Sequence, residues 1–492
     1  MKKYLILALA GVLSFTSCTD QLEVTPDSFK GVVGTTLLDA QESVNGAYVF
    51  LRNPYGKYAF ASIGFSILEV PTGTMKPAAG TQDTGMEQAY ALTFDDNNNN
   101  AFVLWQAYFD GIEAANIAIA SIPNISDPDL TDELASSLLG QAYFLRAYYY
   151  FQLVQIFGDI PLKTTPSSSL SDGKLPKSSV QEIYEQVIVP DLQQAEAAGL
   201  PSTSAEGRVT LGAVKSLLAK VYLTMAGSPL NQTDKYTLAA EKALEVINSG
   251  AFSLFQDGGG FRWVDKLREP DFDLTEEHIF MAQFATAIPS SFSQYFTPIG
   301  GVEISAQTLH FGGMEPEEDF YNSYDPSDVR GQNQGFFFDS FDGVSFNLSV
   351  YKYFDETFRN QAQGLGTKSF PLLRYADVLL IYAEAQNESG TANTQAYTAL
   401  NSIRGRAGLS DVAGLSQNDF REEVWRQRAW EFPAEGGYVW FDMKRTMKVF
   451  NGTGFDDFVG ATLPNGNTLG SDNIYFPIPA GDVLLNPALG DG

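Results

Sequence analysis

The sequence predicts a mainly α-helical scaffold, built of helical hairpins that stack on one another. Three observations carry this expectation. Apolar residues recur at three- and four-residue spacing over most of the chain. Gly and Pro mark the turns between those runs. Ala and Tyr dominate the apolar faces, as suits closely packed helix pairs. Of 492 residues, 44% are hydrophobic and 18% charged, which suits a large core and not a disordered chain. No strict 34-residue period is visible, so any repeats are degenerate.

The first helix runs from Trp105 through Tyr108, Ile112, Ala115 and Ile119 and is broken by Pro123. A second carries Leu138, Ala142, Leu145, Tyr149, Leu153 and Ile156 on one face. Gly158 is placed to cap its C-terminus, and Pro161 forbids continuation. A pair follows, Leu211 to Met225 and Tyr236 to Ile247, with Gly227, Ser228 and Pro229 as the turn. After Pro371, Tyr375, Leu379, Tyr382 and Ala383 line another helix, and Tyr397, Leu400 and Ile403 its partner. A last helix spans about Asn418 to Phe432. Between residues 251 and 370 glycines and prolines punctuate aromatic runs. That stretch reads as loops with short strands at Ile279–Phe284 and Val350–Tyr353.

Charge and cysteine content narrow the function. With 59 Asp+Glu against 31 Lys+Arg the net charge is −28, which disfavours nucleic acid as a partner. Two histidines and one cysteine leave no Cys/His zinc site and no internal disulfide. Lys2 and Lys3 precede an apolar run from Tyr4 to Leu13, too short to span a bilayer, and small residues follow. The pattern is a secretory signal over residues 1–17 that leaves Cys18 as the first mature residue, the arrangement of a bacterial lipoprotein. Removing Lys2 and Lys3 takes the charge from −28 to −30. Lipid on Cys18 then supplies the only membrane contact.

Cys18 and seven motifs that follow it in order resemble the SusD/RagB family of outer-membrane nutrient-binding lipoproteins of Bacteroidetes. They are Cys18 with Thr-Asp after it, WQAYFDGIEAAN from Trp105, and LRAYYYFQLVQIFGDIPL around Arg146. GRVTLGAVKSLLAKVYL follows with Gly207 and Arg208, then LLRYADVLLIYAEA with Arg374, Asp377 and Glu384. LNSIRGRAGL and FREEVWRQRAWEFPAEGGYVWFDMKR hold Arg404, Glu431, Glu435 and Asp442, ahead of the closing YFPIP. The resemblance implies about four tetratricopeptide-like helix pairs (residues 35–250 and 371–450) and a variable ligand-site region (about 251–370) within a single domain, 18–492. It also implies a lid on a SusC-like TonB-dependent transporter that captures a glycan, or in the RagB branch a peptide, without catalysis and without a cofactor.

Within that framework Arg146, Arg374, Asp377, Glu384, Arg404, Glu431 and Asp442 are expected to form buried ion pairs and caps. The competing reading, a surface glycosidase, needs only two suitably spaced acids. Neutral sugars are held on flat aromatic rings and planar hydrogen-bonding groups. Trp263, the one tryptophan of the variable region, is the first candidate platform, with Tyr295, Phe296, His310 and Phe311 near it in sequence. By resemblance the loop before Trp105 shares the site, which nominates Thr72, Met75, Lys76 and the run Asn97, Asn98, Asn99 and Asn100. Glu315, Glu317, Glu318, Asp319, Asp325 and Asp328 read as a solvated acidic loop without EF-hand spacing. An acidic protein repels polyanions unless Lys76, Arg262, Lys266 and Arg268 form a basic patch. The expected ligand is therefore a neutral polysaccharide, such as a β-glucan or fructan.

Overall fold

A computed structural model describes residues 34–56, 64–291, 295–296, 298, 313–354 and 366–490. The helical scaffold begins with α1 (Leu37–Val49), which the apolar pattern did not reveal. Thr36 and Asp39 cap it reciprocally, and only Ala40, Val44 and Ala47 of its face are buried. After β1 (Met75–Pro77) and the short α2 (Thr84–Tyr90) comes α3 (Asn99–Ser121). It starts six residues before Trp105 because the Asn98 side chain accepts the amides of Asn100 and Ala101. Helix α4 (Asp132–Phe157) packs antiparallel on α3, so closely that a Cβ on Gly111 would sit 2.4 Å from the Tyr149 ring. Gly158, at φ 73°, ends α4.

The stack continues through α5 (Val189–Ala197) to α6 (Leu211–Ala226), which pairs with α7 (Lys235–Ser249). A short helix, α8 (Trp263–Arg268), lies in the variable region. Then α9 (Tyr375–Glu388) packs on α7, pairs with α10 (Thr394–Arg406) and receives α11 (Gln417–Glu431). Helix α12 (Tyr438–Thr446) and the C-terminal α13 (Ala480–Leu485) complete the set. The helix-pair architecture predicted from periodicity is thus observed, and one apolar core runs from Ala47 to Leu489. No described helix is long and apolar enough to cross a membrane.

The variable region adds two-stranded ladders to this scaffold. β2 (His278–Ala282) pairs antiparallel with β6 (Phe370–Arg374), every residue of both being buried. β3 (Met314–Pro316) pairs with β1. β4 (Phe337–Phe341) and β5 (Val344–Val350) form a hairpin whose turn, Asp342-Gly343, has both φ values positive. That turn corrects the strand expected at Val350–Tyr353. The hairpin register places the strand earlier, and the Tyr351 and Lys352 amides both turn back to the Phe336 carbonyl.

The framework charges are buried, or half-buried at Arg404 and Asp442, and paired. Arg146 grips Asp191 at 2.7 and 2.8 Å. Glu384 holds Arg445, Asp442 bridges Arg428 and Arg445, Arg404 holds Glu423, and Asp377 faces Lys220 and Arg428. Arg374, with no exposed side-chain surface, contacts Glu277, Glu431 and Glu435. Arg330 and Arg406 also reach Glu431. Burial acts to raise the Glu431 carboxyl, but Arg406, Arg374 and Arg330 outweigh it and hold it well below the usual range. These acids fix helix packing.

A candidate ligand face beside beta strands 1 and 3

The loop that leads into β1 is anchored from below. Glu69 is fully buried, and its carboxylate accepts the amides of Ala434 at 3.0 Å and Gly437 at 2.7 Å. Thr72 donates to the Glu69 carbonyl and lies 2.7 Å from the Thr74 hydroxyl. Gly73, at φ 78°, then releases the chain into β1. Lys76 faces Glu315 directly across the β1–β3 ladder. Just past β3, Glu317 accepts the Tyr90 hydroxyl at 2.8 Å and is tied to the loop by its amide on the Thr74 carbonyl. Asn347 of β5 and the Ala79 amide lie close to the Glu315 carboxylate. Burial raises the carboxyls of Glu315 and Glu317, and Lys76 pulls both back. An ammonium, two carboxylates, a phenol and an amide thus converge. Together they supply the donors and acceptors that sugar hydroxyls need.

From Gly313, whose carbonyl accepts the Ala78 amide at 3.2 Å, this face continues to Tyr295 and Phe296. Gly313 N donates to the Tyr295 carbonyl at 2.7 Å, and Phe296 packs 5.0 Å from Tyr353. Both aromatic residues are buried, so they support the face and do not present rings to solvent. Thr72 and Met75 are buried as well and shape the loop, whereas Lys76 is partly exposed. His310, Phe311 and Cys18 lie outside the described residues.

Other expectations are corrected by packing. Trp263 is not a platform. It is 4% exposed, with Phe336 edge-on at 5.7 Å and the Arg406 guanidinium 4.1 Å from its ring centre. The asparagine run is not a ligand cluster either. Asn98 caps α3 and also bonds the Gly85 carbonyl and Gln88, while Asn100 bonds Ser66 and Asp83, leaving only Asn97 and Asn99 exposed. The basic patch does not form. Arg262 and Arg268 both pair with Asp265, and Lys266 lies over the Phe272 ring. The acidic loop is not solvated throughout, because Glu315 lies in the ladder, Glu317 is buried just past it and Asp328 is buried against Arg330. Tyr90 and Asn347 had no motif to flag them. They join the face only because α2 and β5 fold against β1 and β3.

Comparison with known proteins agrees with this architecture. The model of the SusD family matches residues 342–490, and a model described as "Starch-binding associating with outer membrane" matches residues 20–223. A SusD-like protein of Formosa agariphila is 26% identical over 99% of both chains. A surface glycan-binding protein A from Bacteroides thetaiotaomicron, solved in complex with laminarihexaose, shares the fold with a TM-score of 0.74 at 19% identity, covering 93% of this chain and 99% of that one. A SusD superfamily protein from Parabacteroides distasonis is 31% identical with a TM-score of 0.84, covering 92% of this chain and 98% of its own. On that identity and coverage, the chain belongs to the SusD family.

Proposed function

We propose that this protein is a cell-surface lipoprotein, anchored through Cys18, that binds a neutral glycan and delivers it to a SusC-like TonB-dependent transporter, without catalysing a reaction on it. Family membership is the observation that carries the reading. The laminarihexaose complex of a protein with the same fold favours a β-glucan over a fructan. The chain's net charge of −28 disfavours polyanionic chains at an open face. Lys76, Tyr90, Glu315, Glu317 and Asn347 are the groups assigned to hydroxyl recognition. Calorimetry of the mature chain against laminarin oligosaccharides, fructans, pectin and peptides tests it. Saturable heat with the β-glucan is expected. Binding confined to peptides, or release of reducing sugar, overturns it.

A further inference from the structure

A cleft of about 280 Å³ opens between α1, the 206–208 turn and the end of β2, away from the β1–β3 ladder. Its volume approaches the small end of ligand sites, on the order of 300 Å³, and suits a single sugar unit. The turn that forms one wall is built for its place. A Cβ on Gly207, at φ 67°, would lie 2.3 Å from Gln283 Nε2, which donates to the carbonyls of Glu206 and Gly207 at 3.1 and 3.2 Å. Arg208 then lays its guanidinium over the Tyr48 ring, 5.5 Å from the centre, and donates to Asn45 Oδ1 at 2.5 Å and Gln141 Oε1 at 3.2 Å. The arginine is thereby held in one orientation from two sides.

Among the described residues that line the cleft, Arg208 meets one carboxylate, Glu206, in a chain of net charge −28. The Glu206 side chain is 84% exposed and stands 3.8 Å from Arg208 Nε, beyond hydrogen-bond range. So exposed a partner contributes little, and a ligand carboxylate can take its position with both oxygens on the guanidinium edge. Asn45 Nδ2 and Gln283 Oε1 hold no partner among the described residues and offer a donor and an acceptor to hydroxyls.

We propose that this cleft is a second ligand site, separate from the face around Lys76, that binds one carboxylate-bearing sugar unit such as a hexuronic acid. Glu206 is its built-in competitor: its carboxylate occupies the approach to Arg208 until the ligand's own displaces it. The proposal is independent of the neutral-glycan reading and concerns a different ligand class.

The test titrates glucuronate, glucose and acetate into the full chain at low salt, followed by calorimetry. Glucuronate is expected to bind at least about tenfold more tightly than glucose or acetate, and to weaken as salt rises. Arg208→Gln is expected to weaken glucuronate about tenfold or more, and Glu206→Gln to tighten it about threefold. Because Arg208 also supports the fold, Asn45→Ala, at an exposed position, gives a second reading and is expected to weaken glucuronate several-fold. Equal affinity for glucose and glucuronate, or acetate binding as tightly as glucuronate, overturns the assignment. So does glucuronate affinity unchanged in both Glu206→Gln and Asn45→Ala. Laminarin binding retained in Glu206→Gln separates this cleft from the Lys76 face.

Discussion

Glu69 and Gly437 are joined by a hydrogen bond of 2.7 Å, from the Gly437 amide to Glu69 Oε1, across 368 positions of sequence. That bond fixes the loop bearing Lys76 to the start of α12, within reach of the charges of Lys352 and Glu435. Burial raises the Glu69 carboxyl from 4.5 to about 7, although the Gly437 and Ala434 amides and Lys352 oppose the shift. A carboxyl raised on folding binds its proton more tightly in the native state. Its contribution to stability is complete below about pH 4.5 and is lost as pH rises through about 7. The difference is roughly 3 kcal/mol over that window. Denaturant titrations from pH 4.5 to 7.5 should show this slope in the wild type and a flatter one in Glu69→Gln. Parallel curves would refute the assignment.

Arg374 has three carboxylate partners and no exposed side-chain surface. Arg374→Leu leaves Glu277, Glu431 and Glu435, all fully buried, short of a cation. A loss of about 3–5 kcal/mol is expected in chemical unfolding. Arg421→Ala breaks the more exposed pair with Glu388 and should cost under about 1 kcal/mol. Similar losses in the two variants would show that burial is not what gives the network its weight.

Trp263→Ala is a packing variant. It empties the space between Phe336 and Arg406, so thermal unfolding should reveal a loss of about 3–5 kcal/mol. Glycan affinity of the fraction that remains folded should be unchanged. Loss of glycan binding with no change in melting would restore Trp263 as a contact residue.

Lys76→Ala, in contrast, removes a partly exposed side chain with little packing. Its charge also holds down the buried carboxyls of Glu315 and Glu317. Unfolding should therefore detect a loss of up to about 1 kcal/mol, and glycan affinity measured by calorimetry should fall about tenfold. Unaltered affinity would move the binding face elsewhere.

Asn98→Ala deletes the acceptor that caps α3 and the donor to Gly85 and Gln88. Unfolding should detect about 0.5–2 kcal/mol, the range for a lost N-cap, with laminarin binding unaffected.

The helix pairs were legible because their cause is local. Apolar residues repeat at 3.6-residue spacing in α3, α4, α6, α7 and α9 to α11, and Gly158, Pro123 and Pro371 punctuate them. Helix α1 escaped notice because only three of its residues are buried, so its stripe is thin. The framework charges were legible as pairs, though not with their partners. Nothing in the order of residues joins Arg374 to Glu277 or Arg330 to Glu431, since those contacts span about 100 positions.

By itself, the sequence determined the helical class, the seven family motifs, the acidic balance and a cysteine and histidine content too low for an internal disulfide or a Cys/His zinc site. Tertiary structure alone decided which polar and aromatic side chains meet solvent. Trp263 and Asn100 look like ligand groups in one dimension and are buried. Glu315 and Glu317 look like solvated loop acids and are buried, Glu315 facing Lys76 across the β1–β3 ladder and Glu317 accepting the Tyr90 hydroxyl. The reason is physical. Helical periodicity is set by neighbours three and four residues away, whereas exposure and hydrogen-bond partnership depend on which distant segment covers a side chain.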